Sequence, residues 1–385
     1  MADDDYLMFH RPSMGPEEEQ AVAQVLRSGW ITTGPRTKEF ERVFAAYRGA
    51  AHAVAVNSCT AALHLSLVAL GVGPGDEVIT SPITFASTAN VVVHTGATPV
   101  FCDVQDDTLN MDPEALRRAL TPRTRAVFAV HFAGHPCDMD EITAITAERG
   151  VPVIEDAAHA VEAEYRGRPT GSLARAAAFS FYATKNITTG EGGMLVTDDG
   201  KLAERVALLA LHGISRDAWK RYGAEGYHHW DTVAAGYKYN MFDIQAAIGL
   251  EQLKKVGRFW ESRKRLVERY DAALAGLPGL RPLVRRPYVT ASYHLYPIRV
   301  TPAAGLSRDD FIAALNRRNI GVGVHFRPVH LHPFYRETFG FAPGLCPVAE
   351  QAGEQLVSLP LFPDMTDAEV DRVVRACREI LAAGA

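Results

Sequence analysis

Short, two-sidedly apolar runs alternate along the first half of the chain with segments whose apolar residues recur every three or four positions. AVAVN (53–57), DEVITS (76–81), TPVFCDV (98–104), RAVFAVH (125–131), VPVIEDAAH (151–159), AAAFSFYA (176–183) and GMLVTDD (193–199) read as strands. TAALHLSLVALG (60–71), stopped by Gly71, and DMDEITAITAERG (138–150) read as helices between them. So does DPEALRRAL (112–120), with Asp112 as N-cap and Pro113 at the first helical position. A further helix follows the last strand, to about residue 211. Strands apolar on both faces belong in a sheet covered on both sides. The alternation predicts an α/β fold with a mostly parallel, seven-stranded sheet flanked by helices.

After about residue 244 the pattern changes. IQAAIGLEQLKKVGRFWESRKRLVERYDAALAGL (244–277) predicts a long helical region broken or bent near Gly257. YHLYPIRV (293–300) and IGVGVHF (320–326) predict strands. RDDFIAALNRRN (308–319), after a Ser307 cap, and TDAEVDRVVRACREILAA (366–383) predict helices. The expected organisation is a large α/β domain over residues 1–245 and a smaller α+β domain over residues 246–385.

Composition narrows the function classes. The chain has 385 residues, 47% hydrophobic and 22% charged, with a formal net charge of -5. No basic stripe points to nucleic acid. No apolar run approaches the roughly 20 residues that span a bilayer. MADDDY at the start lacks the basic-then-apolar order of a signal peptide. Cys59, Cys102, Cys137, Cys346 and Cys377 are scattered, with no C-x-x-C pair, which reads as a reduced, cytoplasmic protein. No metal site is indicated: His228 and His229 are adjacent, without an H-x-x-x-H helical spacing.

Ligands of open α/β sheets bind beyond the carboxyl ends of the strands, and three polar clusters fall there. In NSCTAALHL (57–65) a strand gives way to a helix near Thr60, whose free N–H groups and dipole suit a phosphate. In VIEDAAHA (153–160) an apolar strand delivers Glu155 and Asp156, with His159 just beyond. A carboxylate in a low-dielectric cleft needs a cationic partner, and a protonated pyridine nitrogen is one. In FSFYATKNITTGEGGMLVTDD (179–199), Lys185 follows a strand, with Ser180 before it and Gly190, Gly192 and Gly193 after it. A desolvated lysine is a usable amine for a Schiff base. A phosphate cradle, an acid for a ring nitrogen and a lysine for an aldehyde together match what pyridoxal 5′-phosphate requires. A dinucleotide enzyme would instead need G-x-G-x-x-G after the first strand, where SCTAAL stands.

At these residues the chain resembles the DegT/DnrJ/EryC1/StrS family of fold type I sugar aminotransferases. The likeness runs from SGWITTGPRTKEFE (28–41) to SLPLFPDMT (358–366). Within the family, EDAAHAV (155–161), GYKYNMFDIQAAIGLEQL (236–253) and GVGVHFRPVH (321–330) are similar to UDP-4-amino-4-deoxy-L-arabinose aminotransferases and related 4-keto-sugar aminotransferases. The resemblance implies that Lys185 is the Schiff-base lysine and Asp156 pairs with the pyridine nitrogen. It further implies that His159 lies beside the ring's 3-oxygen and Phe85 stacks on the ring. Thr60, the Ala61 N–H and Ser180 would hold the phosphate. Asn240 would reach the phosphate of a neighbouring subunit, which implies a homodimer with sites at the interface. The expected reaction is ping-pong transfer of an amino group from L-glutamate to a keto-sugar nucleotide, through a pyridoxamine 5′-phosphate half-reaction. His325 and Arg327 are candidates for a sugar-nucleotide diphosphate, with solvation as their alternative; for Trp30 the alternative is core packing. Trp30, with Thr32, Thr33 and Gly34, is a candidate for the substrate mouth. A C3-keto sugar or cyclitol acceptor, or a non-catalytic regulatory protein on the same fold, stays open at this point. YGAEGYHHWD (222–231) reads either as a loop near the site or as aromatic packing.

Overall fold

The computed structural model describes residues 6–214 and 231–384. His228, His229 and nearly all of YGAEGYHHWD lie outside the described residues. The strands are β1 (His52–Val56), β2 (Glu77–Thr80), β3 (Thr98–Phe101), β4 (Thr124–Val130), β5 (Val153–Asp156), β6 (Glu164–Tyr165) and β7 (Arg168–Pro169). They continue with β8 (Ala176–Ser180), β9 (Gly193–Thr197), β10 (Leu280–Pro282), β11 (Val289–Thr290), β12 (Tyr296–Val300) and β13 (Leu356–Leu359). Seven of them form one sheet in the order β1-β9-β8-β5-β4-β2-β3.

The pairs β2/β3, β2/β4, β4/β5 and β5/β8 are parallel. β9 is antiparallel to both β8 and β1. The cause lies in the connections. The crossovers between β2 and β3 and between β4 and β5 are helical, β5 reaches β8 through a long connection that carries β6 and β7, and β8 and β9 are joined by the turn that carries Lys185.

Side-chain alternation covers both faces. Ala176 and Ala178 of β8 enter one core with Leu63, Leu65 and Leu67 of the helix Cys59–Ala69. Ala177 and Phe179 enter the opposite core with Phe40, Phe44 and Leu250. The Asp112 and Ser307 carboxyl and hydroxyl cap their helices, accepting from Glu114 N and Asp310 N as expected.

Two expectations fail. The helix Asp243–Leu274 runs unbroken through Gly257. A Cβ at Gly257 would meet nothing, so this is an open helix position where glycine weakens the helix without forcing a break. The helix's first half packs Ala246, Leu253 and Phe259 against the large sheet. Its second half packs Leu266, Tyr270 and Leu274 with β12, β13 and the last helix. IGVGVHF is not a strand: it makes single bridges, Ile320 to Leu7 and Gly323 to Ser358. The segment is shared between the chain's start and β13, and Gly321 is crowded by the Tyr6 hydroxyl, 2.7 Å from where a Cβ would be. Among the described residues no helix is long and apolar enough to cross a membrane.

Candidate active site

The register of the sheet brings the three polar clusters to one edge. Val130 pairs with Asp156 at the ends of β4 and β5. Asp156 pairs with Ala178, and two residues on Ser180 pairs with Gly193. Gly193 in turn pairs with Val56, the last residue of β1. Above this edge lies a cavity of about 730 Å³ lined by Thr60, Phe85, Asp156, His159, Ser180, Lys185 and His325, among others.

Lys185 stands in a turn tied down on both sides. Its N–H donates to Tyr182 O at 2.9 Å, and Thr189 N donates to Phe181 O at 2.9 Å. The next residue, Asn186, donates through Nδ2 to Glu162 Oε2 at 2.6 Å and to Ser292 O at 2.9 Å. Its Oδ1 accepts from His294 Nδ1 at 2.8 Å. The Lys185 amine itself meets no hydrogen-bonding or ion-pair partner among the described residues and is half-buried at the cavity wall. Desolvation pushes its pKa down to about 8, with the Cys59 and Asp156 charges opposing. The amine's free-base fraction therefore falls about tenfold per pH unit below 8. We expect the apoprotein's rate of pyridoxal phosphate capture, followed by stopped-flow absorbance, to rise with pH in that way and level off above about 8. A rate independent of pH across that range would show that this amine is not the one that reacts.

Asp156 ends β5 with its carboxyl buried. Oδ2 accepts from Thr88 Oγ1 at 2.8 Å, and Oδ1 accepts from Ala158 N at 3.2 Å. Burial raises its pKa, opposed by those two bonds and by the charges of Lys185 and His131. Such a carboxyl is stabilised as an anion by a cation brought into the cavity. Glu155, its neighbour in sequence, points the other way. It takes hydrogen bonds from His131 Nε2, Gly171 N and Leu173 N, each at 3.0 Å, and has a structural role.

His159 lies in the cavity wall with its ring 4.4 Å from that of His294 and stacked on Phe326. Burial, with the charges of Lys185 and His325, holds it neutral, well below the usual histidine range. Phe85 is 64% exposed, an unusual state for a phenylalanine, and its ring faces the cavity.

At the phosphate end, Ser58 caps the helix Cys59–Ala69, its Oγ accepting from Ala61 N at 3.1 Å. Thr60 and Ser180 reach the cavity; Ala61 is buried and its N–H is engaged by Ser58, so it does not line the cavity. Residue 193 must be glycine because β9 passes directly against this turn. A Cβ there would stand 2.3 Å from Ser58 C and 2.5 Å from Cys59 N. A helix start, a capping hydroxyl, a buried carboxyl, a depressed amine and an exposed ring around one cavity fit pyridoxal phosphate.

Besides Ala61, four expected residues, Trp30, Thr33, Asn240 and Arg327, are not in this cavity's wall. Trp30 Nε1 donates to Thr33 O at 3.0 Å. Thr33 is buried; its hydroxyl accepts from Asn240 Nδ2 at 2.6 Å and donates to Met241 O. Thr33 thus ties two chain segments together outside the wall of this cavity. Asn240 Oδ1 accepts from Lys238 Nζ at 2.6 Å. Arg327 is exposed and donates to Leu331 O at 3.1 Å. His325 does line the cavity; its Nδ1 shares a hydrogen bond with Ser358 Oγ at 2.9 Å, and burial lowers its pKa to about 4.

The cavity also contains residues that sequence reasoning passed over, including His10, Thr84, Thr88, His131, His294 and Phe326. His10 Nε2 is buried without a partner among the described residues. Only the i, i+4 threonines around Phe85 in TFAST carried a signal that could have been read.

Comparisons with known proteins agree with this geometry. The DegT/DnrJ/EryC1/StrS aminotransferase family matches residues 12–378. The spore coat polysaccharide biosynthesis protein SpsC of Bacillus subtilis is 50% identical over 378 residues, covering 98% of this chain and 97% of that protein. The PMP-form structure of Spr1654 from Streptococcus pneumoniae superposes with a TM-score of 0.93 at 36% identity, over 98% of this chain and 100% of that one. The Helicobacter pylori protein PseC, an aminotransferase involved in the biosynthesis of pseudoaminic acid, gives a TM-score of 0.92 at 29% identity, over 98% and 100% of the two chains. The chain belongs to the DegT/DnrJ/EryC1/StrS aminotransferase family.

Proposed function

We propose that the protein transfers an amino group from L-glutamate to a keto-sugar nucleotide, a UDP-4-keto sugar by its likeness to the 4-keto-sugar subgroup. The observation that carries this reading is the meeting of Lys185, Asp156 and the Cys59–Ala69 helix start around one cavity at a single sheet edge. Bound there, pyridoxal phosphate supplies an aldehyde for amines and a ring that accepts an electron pair. Lys185 Nζ would hold the group by its aldehyde and, when free, would take a proton from the donor α-carbon. Asp156 would keep a proton on the ring nitrogen. Thr60, Ser180 and the helix dipole hold the phosphate. Phe85, exposed into the cavity, would hold the ring, and His159, held neutral, would adjoin it without adding charge.

SpsC and PseC, named for polysaccharide and pseudoaminic acid biosynthesis, support an amino-sugar product. Trp30, Thr33 and Asn240 form a hydrogen-bonded group outside the chain's own cavity, flanked by the exposed side chains of Ile31 and Phe242. That placement supports a homodimer in which Asn240 serves the neighbour's phosphate and Trp30 its substrate.

The purified holoenzyme given L-glutamate without acceptor should lose its visible absorption band and release one 2-oxoglutarate per site. Adding a UDP-4-keto sugar should then restore the band and yield an amino sugar, detected by mass spectrometry. A spectrum unmoved by L-glutamate would refute the donor. Restoration only by a 3-keto sugar or cyclitol would refute the acceptor.

A further inference from the structure

Asp156 does not stand alone at the end of β5. Thr88 lies in the first turn of the helix Ser87–His94 and donates its hydroxyl to Asp156 Oδ2 at 2.8 Å. Thr84 Oγ1 lies 2.8 Å from Thr88 Oγ1, one turn earlier. Both threonines are buried, at 1% and 2% exposure. An ionised carboxylate only accepts. Thr88 has a single hydroxyl proton and gives it to Asp156, so the bond between the threonines is filled by the Thr84 proton. The direction of the chain is thereby fixed: Thr84 to Thr88 to Asp156. The other carboxylate oxygen takes the Ala158 N–H. Each oxygen has one donor, from two different segments, and the carboxylate plane is set.

We infer that Thr88, itself oriented by Thr84, is a positioning residue that aims the Asp156 carboxylate at the cofactor's ring nitrogen. Phe85 lies between the two threonines and turns its ring into the cavity, so one turn of chain sets both the stacking ring and the carboxylate plane. The inference rests on the reading of Asp156 given above.

The charged and titratable groups facing Asp156 are Lys185 from the turn after β8, His131 from the end of β4, Cys59 from the helix start and Cys137. Burial raises the Asp156 carboxyl, and the bond from Thr88 opposes that rise. Loss of the bond moves the carboxyl further up, so it takes its proton at a higher pH and loses its attraction for a protonated ring.

The test is equilibrium binding of pyridoxal phosphate to the apoprotein, read by intrinsic fluorescence across pH, for the wild type and Thr88→Val, Thr88→Ser, Thr84→Val and Asp156→Asn. Thr88→Val should weaken binding about tenfold or more near neutral pH, the effect of a hydrogen bond to a charged group. Its acid limb of affinity should lie at higher pH than that of the wild type. Thr88→Ser, which keeps the hydroxyl, should restore both. Thr84→Val should fall between, because Thr88 keeps its proton but loses its orientation. A Thr88→Val apoprotein melting within a few degrees of wild type separates this effect from a folding defect. The inference is overturned if Thr88→Val binds like wild type while Asp156→Asn is impaired, or if Thr88→Ser is as impaired as Thr88→Val. If Asp156→Asn itself binds like wild type, the reading of Asp156 falls first and takes this one with it.

Discussion

Lys185→Ala should abolish amino transfer, by at least about 10³-fold, while the protein stays folded. The loss is large because one amine has two tasks, capturing the aldehyde and moving the proton at the donor α-carbon. The fold survives because the turn is held by other groups. Main-chain bonds to Tyr182 and Phe181 and the Asn186 contacts to Glu162, Ser292 and His294 all remain. Among the described residues the Lys185 amine makes no hydrogen bond or ion pair, and burial works against its charge. Alanine therefore removes a group that the fold tolerates without needing it. The expected result is no 2-oxoglutarate release from a protein whose apo form melts at or above the wild-type apoprotein. Near-native turnover in Lys185→Ala would mean that another group does the chemistry.

The seven-stranded sheet was legible because its strands are apolar on both faces and all but VPVIEDAAH are followed by a helix signal or by the Lys185 turn. The two-residue strands β6, β7 and β11 were not, because no periodicity exists over two residues. IGVGVHF misled for a related reason. Its alternation is that of a strand, yet its neighbours offer one bridge each. The expected break at Gly257 confused what glycine permits with what it dictates. Its helix is held by packing at both ends.

In the site, Thr60, Asp156, Ser180 and Lys185 could be grouped from sequence because parallel strands deliver their carboxyl ends to one edge. His10 and His294 could not. They reach the cavity from residues before the sheet and from the C-terminal region, through tertiary packing that no local pattern records. Trp30 and Thr33 failed as cavity residues in this chain because their polar groups satisfy one another and Asn240.

Gly193→Ala should cost about 3 kcal/mol of stability and also weaken the cofactor, through one steric cause. The added methyl would lie 2.3 Å from Ser58 C and 2.5 Å from Ser58 O, atoms of the main chain that have no rotamer to escape into. β9 cannot retreat, because Gly193 is paired on one side with Val56 and on the other with Ser180. The yielding part is then the Ser58–Cys59 turn. Displacing it disturbs the Ser58 cap on Ala61 N and moves Thr60, so the phosphate cradle opens as the fold weakens. Gly257→Ala is the control, since a methyl there meets nothing and should stabilise its helix by about 1 kcal/mol. Thermal unfolding of the apoproteins gives the stability difference, and pyridoxal phosphate titration of each variant gives the affinity. A Gly193→Ala protein as stable as wild type would show that β9 and the helix start are not in rigid contact. One destabilised but binding cofactor normally would show that the turn does not hold the phosphate.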